Sequence, residues 1–406
     1  MKRQLTAIAL LLAIGVVSGK GAQAVEGQVS VTSPLYCSDI SGDTPIDVLA
    51  PGFKTVTVNC WKPGQGFGED SVVGEVNLDD PGKGSVVFHA DQYPHGPLTV
   101  RISGQAGAQP NNCYLQLYNK GGVSANAGIP KETPPGAKDM RLVFADDFDG
   151  PLSISSTDPK ARYYDHKPPN GSQDFSTIRF TSYDSPNNPF SQVDTYLRIR
   201  ADANKNSSGI LSSAKNNGTG ILAKAPCYFE CRFLAPNAIG TWPAFWLLTN
   251  NNLTSPNGNV PVDELDIIEA CGGEGPQEPN ATADPKQGDL YQITPHAWNQ
   301  GKEGEKICTQ AYKDMHDPIN MSKFGVPSSW FETFHTYGCK ITETDTIYYL
   351  DNIEVGRHKT MPNSKKSNFY FLINLATGGG WPVDLSRYNG LADMYVDYVR
   401  VYQGDN

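Results

Sequence analysis

The amino-acid sequence predicts an all-β protein, a small β-sandwich followed by a large two-sheet sandwich. Three observations predict it. Glycine and proline contribute 40 and 30 of 406 residues, above their ordinary shares but below the level of disordered chains. Short runs alternate apolar and polar positions, the period of half-buried strands. No segment shows the 3.6-residue apolar period of an amphipathic helix, and there is no internal repeat or low-complexity tract. The length leaves room for two or three domains, each large enough to bury a core.

Residues 1–24 carry Lys2 and Arg3, an apolar run from Leu5 to Val17, and the small-residue stop Ala22-Gln23-Ala24. This is the layout of a cleaved secretory signal. The alternative is a membrane anchor, but the run is shorter than the roughly 20 apolar residues a bilayer requires. A secreted protein, extracellular or periplasmic, is expected. Removing these residues takes away three bases and no acid, leaving 30 Lys+Arg against 43 Asp+Glu, a net charge of −13. Nucleic acid and membrane surfaces are therefore not expected as partners, and the protein is expected to be a monomer. Eight cysteines in an exported chain are able to pair. Cys37 with Cys60 and Cys271 with Cys308 are the preferred pairs, and no cysteine has metal-site spacing with histidines nearby.

Residues 25–118 form the first sandwich, with runs such as Lys54-Thr55-Val56-Thr57-Val58 and Leu98-Thr99-Val100-Arg101-Ile102 between Gly- and Pro-rich turns. The phrase from His95 to Ile102 resembles the late strand of immunoglobulin-like modules of secreted bacterial enzymes. The resemblance implies an accessory module, either a spacer or a polysaccharide binder, with Trp61 its only tryptophan. Residues 119–140 lack periodicity and are stiffened by proline, as in a linker. In residues 141–406 strands are expected at 141–144, 196–200, 228–234, 334–342, 346–350, 368–375 and 394–403.

The chemistry is concentrated in Asp263-Glu264-Leu265-Asp266-Ile267-Ile268-Glu269. In a regular strand Glu264 and Asp266 share a face, while Glu269, an odd number of residues from both, points to the other. A β-bulge at Ile267-Ile268 restores the phase and brings all three acids to one face. Carboxylates side by side repel one another, so such a strand calls for a compensating use. Glycoside hydrolysis is that use, since it needs one ionised and one protonated carboxyl around the scissile bond. Repulsion raises at least one pKa and keeps an acid protonated near neutral pH. An acidic edge strand and a calcium cluster are the competing readings.

Just upstream, Trp242 and Trp246 stand four apart in a strand-like run, Thr241-Trp-Pro-Ala-Phe-Trp-Leu-Leu, so both indoles lie on one face. Indole faces offer large apolar platforms for sugar rings, although a buried structural role competes for part of the pair. Downstream, His296, Trp298, Asn374 and Trp381 add aromatic and hydrogen-bonding groups, with His296-Ala-Trp298 and Gly378-Gly-Gly-Trp381-Pro expected in loops.

These motifs together resemble glycoside hydrolase family 16, in its laminarinase-like group with the bulged Glu-x-Asp-x-x-Glu strand. Phe144-Ala-Asp-Asp-Phe148-Asp-Gly150 is similar to the family's opening strand, with Asp147 in place of the usual glutamate. Trp242 to Trp246, Phe334-His335-Thr-Tyr337, Asn374 to Pro382 and Met394 to Val401 complete a collinear series from about residue 141 to 403. The resemblance implies a concanavalin-like β-jelly roll with an open cleft on its concave sheet. It implies Glu264 as nucleophile, Glu269 as general acid/base and Asp266 as the residue that orients and tunes the nucleophile. It implies a retaining, endo-acting hydrolase of a polysaccharide substrate.

The Gly-Gly-Gly-Trp-Pro loop is similar to that of laminarinases and favours β-1,3-glucan. The long segments 255–261 and 272–292 leave a β-galactan substrate of the agarase, carrageenase or β-1,3-galactanase type open. Only scattered Lys286, Lys302 and Lys306 stand nearby to meet sulfate. The chemistry requires no cofactor. Asp397 resembles a ligand of the family's structural calcium, a hard cation that suits oxygen donors, beside the alternative of a solvated strand aspartate. A non-catalytic carbohydrate-binding protein is the rival class, because lectins share this fold. The three intact acids oppose it, and whether water or an acceptor sugar resolves the intermediate is open.

Overall fold

The computed structural model describes residues 26–62, 71–106, 109–124, 128–169, 175–255, 260–273, 290–298 and 318–405. The signal-like residues 1–24 and Cys308, the expected partner of Cys271, lie outside them.

In the first sandwich Ser30–Ser33, Asp43–Leu49 and Lys83–His89 form a three-stranded sheet. The other sheet runs in the order Ser38–Ile40, Gln109–Asn119, Pro94–Ala106, Thr55–Cys60, Val72–Asn77, with Val123–Ser124 beside Pro94–Ala106. The alternation seen in the sequence decides the packing. Val56, Val58, Val100 and Ile102 turn inward with Ile46 and Val48 of the smaller sheet, all at most 2% exposed. The expected Cys37–Cys60 disulfide is not formed, and both are free thiols. Cys60 is buried in this core, whereas Cys37 is half-buried at the junction, its Sγ 3.4 Å from Gln116 Oε1 and close to Asp393 of the second sandwich.

In the larger sandwich the back sheet runs Phe190–Val193, Tyr196–Asp202, Leu391–Gln403, Cys227–Leu234, His335–Ile341, Asp345–Leu350, Ile353–Lys359, with Arg141–Asp146 on Leu391–Gln403. The front sheet runs Ile210–Ser212, Asn368–Thr377, Thr241–Thr249, Val262–Glu269, Leu290–Trp298, Ile319–Asn320, with Ala223–Lys224 on Asn368–Thr377. Between them Phe229, Cys231, Phe233 and Tyr337 from the back meet Phe245, Leu247, Leu265, Phe371 and Ile373 from the front, each fully buried. All seven strands expected in this region are present. His296–Trp298, expected in a loop, instead ends the strand Leu290–Trp298. Pro295 disguises it, and among the described residues this part of the strand pairs only with Val262–Glu269, a one-sided position where a sheet tolerates proline. His335 of the Phe-His motif is a pin in the back sheet, its ring nitrogens 2.6 Å from Asp351 Oδ2 and 3.2 Å from Ser328 Oγ, with Ser328 and His335 both buried.

The first sandwich is not held on a slack tether. Residues 128–140 lie along the back sheet, where Arg400, ion-paired with buried Glu230, donates from Nη1 to the carbonyls of Pro130 (2.9 Å) and Glu132 (3.1 Å). Ala137 is buried between Tyr228 and Tyr402. Across the junction Gln116 makes a reciprocal pair with the Asp393 backbone, donating to its oxygen at 2.5 Å and accepting from its nitrogen at 3.0 Å. Tyr36 meets Tyr388 edge to face at 4.7 Å, and Tyr114 meets Phe331 likewise at 4.7 Å. His95 and Tyr118 both bind the Asp194 carboxylate. Gly96, with φ of +114°, brings its backbone against the Tyr196 ring, where a Cβ would sit 3.2 Å from the phenol oxygen.

Buried apolar residues of both sandwiches therefore form one contiguous cluster. The contacts that join them are between side chains hundreds of residues apart in the sequence. Deleting residues 26–120 is expected to expose Tyr388, Phe331 and Asp393, leaving a product that is insoluble or melts lower by on the order of 10 °C. Calorimetry of the truncated and full chains checks this, and equal midpoints would contradict the shared core.

Candidate active site

The strand Val262–Glu269 is flanked by Thr241–Thr249 and Leu290–Trp298, and its register carries the bulge. Asp266 lies opposite Trp246 and Ile268 opposite Phe245, which are adjacent on their strand, so Ile267 is the extra residue. On the other side Asp266 pairs with Thr294 and Glu269 with Gln292, again three steps against two. Both isoleucines and Leu265 enter the core, and Glu264, Asp266 and Glu269 all face the opposite side.

That side is a cleft of about 600 Å³. Its walls hold the three acids, Trp242, Trp246, His296, Trp298 and Asn374, with Lys167, Pro168, Pro169 and Phe175 contributed by loops and Asn252 by the single-turn helix Asn251–Thr254. Glu264 and Asp266 are 9% and 4% exposed. His296 Nε2 lies 3.3 Å from Asp266 Oδ2 and 3.9 Å from Glu264 Oε1, and its ring is stacked on Trp298 at 4.9 Å. Glu269 accepts a hydrogen bond from Thr294 Oγ1 at 2.8 Å. The electrostatics follow from this crowding. Burial first, and then the Asp266 carboxyl, push Glu264 up to about 8, while Lys167 and His296 pull the other way. Burial and Glu269 push Asp266 well above the carboxylate range, again opposed by Lys167.

The expected stacking surfaces divide. Trp246 is not an open platform: it is 5% exposed, donates its indole N–H to Asn374 Oδ1 at 2.8 Å, has Phe175 against it edge to face at 6.0 Å, and carries the Lys167 ammonium 5.2 Å from its ring centroid. Asn374 in turn donates to the Trp242 carbonyl at 3.2 Å, which makes it a brace for both tryptophans. Trp242 and Trp298 are half-buried cleft walls. Trp381 is half-buried and does not line the cleft. Its loop acts through glycine instead: at Gly379, with φ of +71°, a Cβ would come 2.7 Å from Trp242 Cε3.

Asp397, expected near calcium, has its carboxylate against the Arg232 guanidinium. A resident cation already neutralises it, so this donor does not fit a calcium site. Among the described residues, Glu264, Asp266 and His296 bring metal-ligand atoms within 4.8 Å of one another, but all three belong to the acid wall. Ala244, Leu248 and Val262, in phase with the predicted residues, were within reach of strand alternation. Lys167, Phe175 and Asn252 carry no sequence signal of their own.

The raised Glu264 pKa has a consequence for stability. Between its ordinary 4.5 and about 8 the folded state keeps a proton the unfolded state has lost, so this group's contribution falls as pH rises through that window. Glu264→Gln removes the titration. The variant is expected to gain stability over the parent as pH rises from 5 to 8, by on the order of 2–4 kcal/mol at the upper end. Urea unfolding at both pH values checks it, and a gain independent of pH would contradict it.

Comparison with known proteins comes to the same region. The chain is 30% identical to the endo-1,3-1,4-beta-glycanase EglC of Rhizobium meliloti over 226 residues, 54% of this chain and 40% of that protein. It is 32% identical to the endo-1,3-1,4-beta-glycanase ExsH of the same organism over 183 residues, 44% of this chain and 30% of that one. It thus spans less than half the length of either. The laminarinase catalytic domain of Thermotoga maritima aligns with 66% of this chain and 100% of its own at 20% identity and a TM-score of 0.47. Residues 180–400 match the family model of the glycosyl hydrolases family 16, and the chain belongs to that family.

Proposed function

We propose that the chain is a retaining, endo-acting hydrolase of β-linked glucan, with β-1,3 linkages preferred. The observation that carries the reading is the bulged strand, which sets three carboxyls in one wall of a cleft flanked by tryptophans. Family membership and similarity to two endo-1,3-1,4-beta-glycanases support it.

In this mechanism Glu264 attacks the anomeric carbon while Glu269 protonates the departing glycosidic oxygen. Glu269, now a carboxylate, then takes a proton from a water whose oxygen attacks the anomeric carbon, and the bond to Glu264 breaks to free the sugar and restore the Glu264 carboxylate. Asp266, between the two glutamates and held by His296 at 3.3 Å, keeps Glu264 in place and sets its charge through repulsion. Thr294 orients Glu269. Preference for a neutral glucan is supported by the laminarinase-like glycine loop, and by a described cleft wall whose one lysine, Lys167, lies over an aromatic ring.

Glu264→Ala and Glu269→Ala are each expected to lower turnover on laminarin by about three orders of magnitude or more. With an activated aryl glycoside and azide, the Glu264 variant should yield an α-azide and the Glu269 variant a β-azide, read by proton NMR. Swapped products would reverse the two roles, and near-full activity of either variant would remove the assignment.

The walls give a second expectation. Trp242→Ala and Trp298→Ala should weaken transition-state binding by roughly 1–3 kcal/mol, the scale of a ring-stacking contact. Gly379→Ala should act in the same direction by displacing Trp242. Values of kcat/KM on laminarin, lichenan, agarose and β-1,3-galactan decide the substrate. Cleavage of a galactan with laminarin untouched would overturn the glucan preference and leave the acids in their roles.

A further inference from the structure

A wall of three carboxyls, two of them buried, needs a counter-charge, and the structure supplies one from a loop far away in sequence. Tyr164 is bridged to Ser212 of the front sheet, its nitrogen donating to Ser212 O at 2.9 Å and its oxygen accepting from Ser212 N at 2.7 Å. The next residue, Asp165, is fully buried and accepts from the Tyr183 backbone nitrogen at 2.7 Å. This anchored turn delivers Lys167 into the cleft, where its ammonium lies 5.2 Å from the Trp246 ring centroid and 6.0 Å from that of Phe175. Trp246 is the cross-strand partner of Asp266, so the seat that holds the lysine adjoins the acid wall. A cation over a desolvated indole face is held there by the ring quadrupole.

We propose that Lys167 is a positioning residue of this active site, seated on Trp246 and Phe175 so that its ammonium offsets the repulsion within the acid wall and favours the carboxylate of Glu264 that attacks. The inference rests on the functional reading above. It gives Trp246 a use its burial leaves open, as the seat of a cation rather than a platform for sugar. The groups that face Glu264 are Asp266 and Glu269 on its own strand, His296 from one neighbouring strand, Tyr370 from Asn368–Thr377, and Lys167 from the loop. Lys167 and His296 favour its charged form and Asp266 and Glu269 oppose it. Of the first two, Lys167 has the larger effect on Glu264.

The test compares Lys167→Met, which keeps length without charge, with Lys167→Arg, which keeps the charge. On soluble laminarin the acidic limb of the kcat/KM profile is expected to move to higher pH by roughly half to one unit in Lys167→Met. At high pH its rate should return to within about twofold of the parent, and Lys167→Arg should restore the limb. An unmoved limb, or a loss by the same factor at every pH, would overturn the proposal and mark Lys167 as a substrate contact or a packing residue. Urea unfolding supplies a readout that needs no substrate: the stability deficit of Lys167→Met should be small at pH 5 and widen toward pH 8, where the carboxyls ionise. A deficit that does not change with pH would also overturn it. If the parent cleaves none of the glucans, the functional reading fails, while the unfolding series still decides whether Lys167 balances the acid wall.

Discussion

Everything in the front sheet is arranged around the cost of keeping Glu264, Asp266 and Glu269 together in a partly dehydrated wall. Bringing like charges out of water and into contact is among the most expensive arrangements a fold can hold, and it persists only when the surroundings fix it. Here the surroundings are of two kinds. Beneath the strand, Leu265, Ile267 and Ile268 are sunk into the central core, so the acids cannot turn away without exposing three aliphatic side chains. Above it, His296, Thr294 and Lys167 meet the carboxyls with hydrogen bonds and charge. The price appears as raised pKa values at Glu264 and Asp266.

The rest of the molecule stiffens that wall. The front sheet rests on the back sheet, and the back sheet carries the strap of residues 128–140 through Arg400 and the first sandwich through Asp393. The half-buried Arg200–Asp393 pair and the buried Arg400–Glu230 pair lie at these two attachments, each bidentate or further hydrogen-bonded, which offsets the desolvation of the charges. The N-terminal sandwich is part of the scaffold on which the cleft is built, whatever else its outer surface does.

Much of the site was legible because its signal is local. Six residues, Glu264 to Glu269, contain a contradiction in strand phase, and the bulge at Ile267 is its simplest resolution. Strand alternation likewise sends Trp242 and Trp246 to one face. Alternation does not say what else reaches that face. Phe175 and Lys167 arrive from a loop about 70 to 80 residues upstream in the sequence and close over Trp246, and no periodicity announces them. Pro295 hid the strand that carries His296 and Trp298. The docking of the first sandwich was hidden for the same reason as the Lys167 seat: Tyr36 and Tyr388 each look like ordinary strand-end aromatics until the fold brings their rings to 4.7 Å.

The extra residue at Ile267 keeps Glu269 in phase with the other two acids. The most direct test of that phasing is the initial rate of reducing-sugar release from laminarin by two deletion variants. Removing Ile267 alone leaves Glu264-Leu-Asp266-Ile-Glu, a regular alternation with all three acids still on the cleft face. Removing both Ile267 and Ile268 turns the last glutamate toward the core. Measurable turnover and cooperative unfolding are expected for the single deletion, and no turnover for the double. Equal loss in both, with the single deletion still folded, would contradict that role for Ile267.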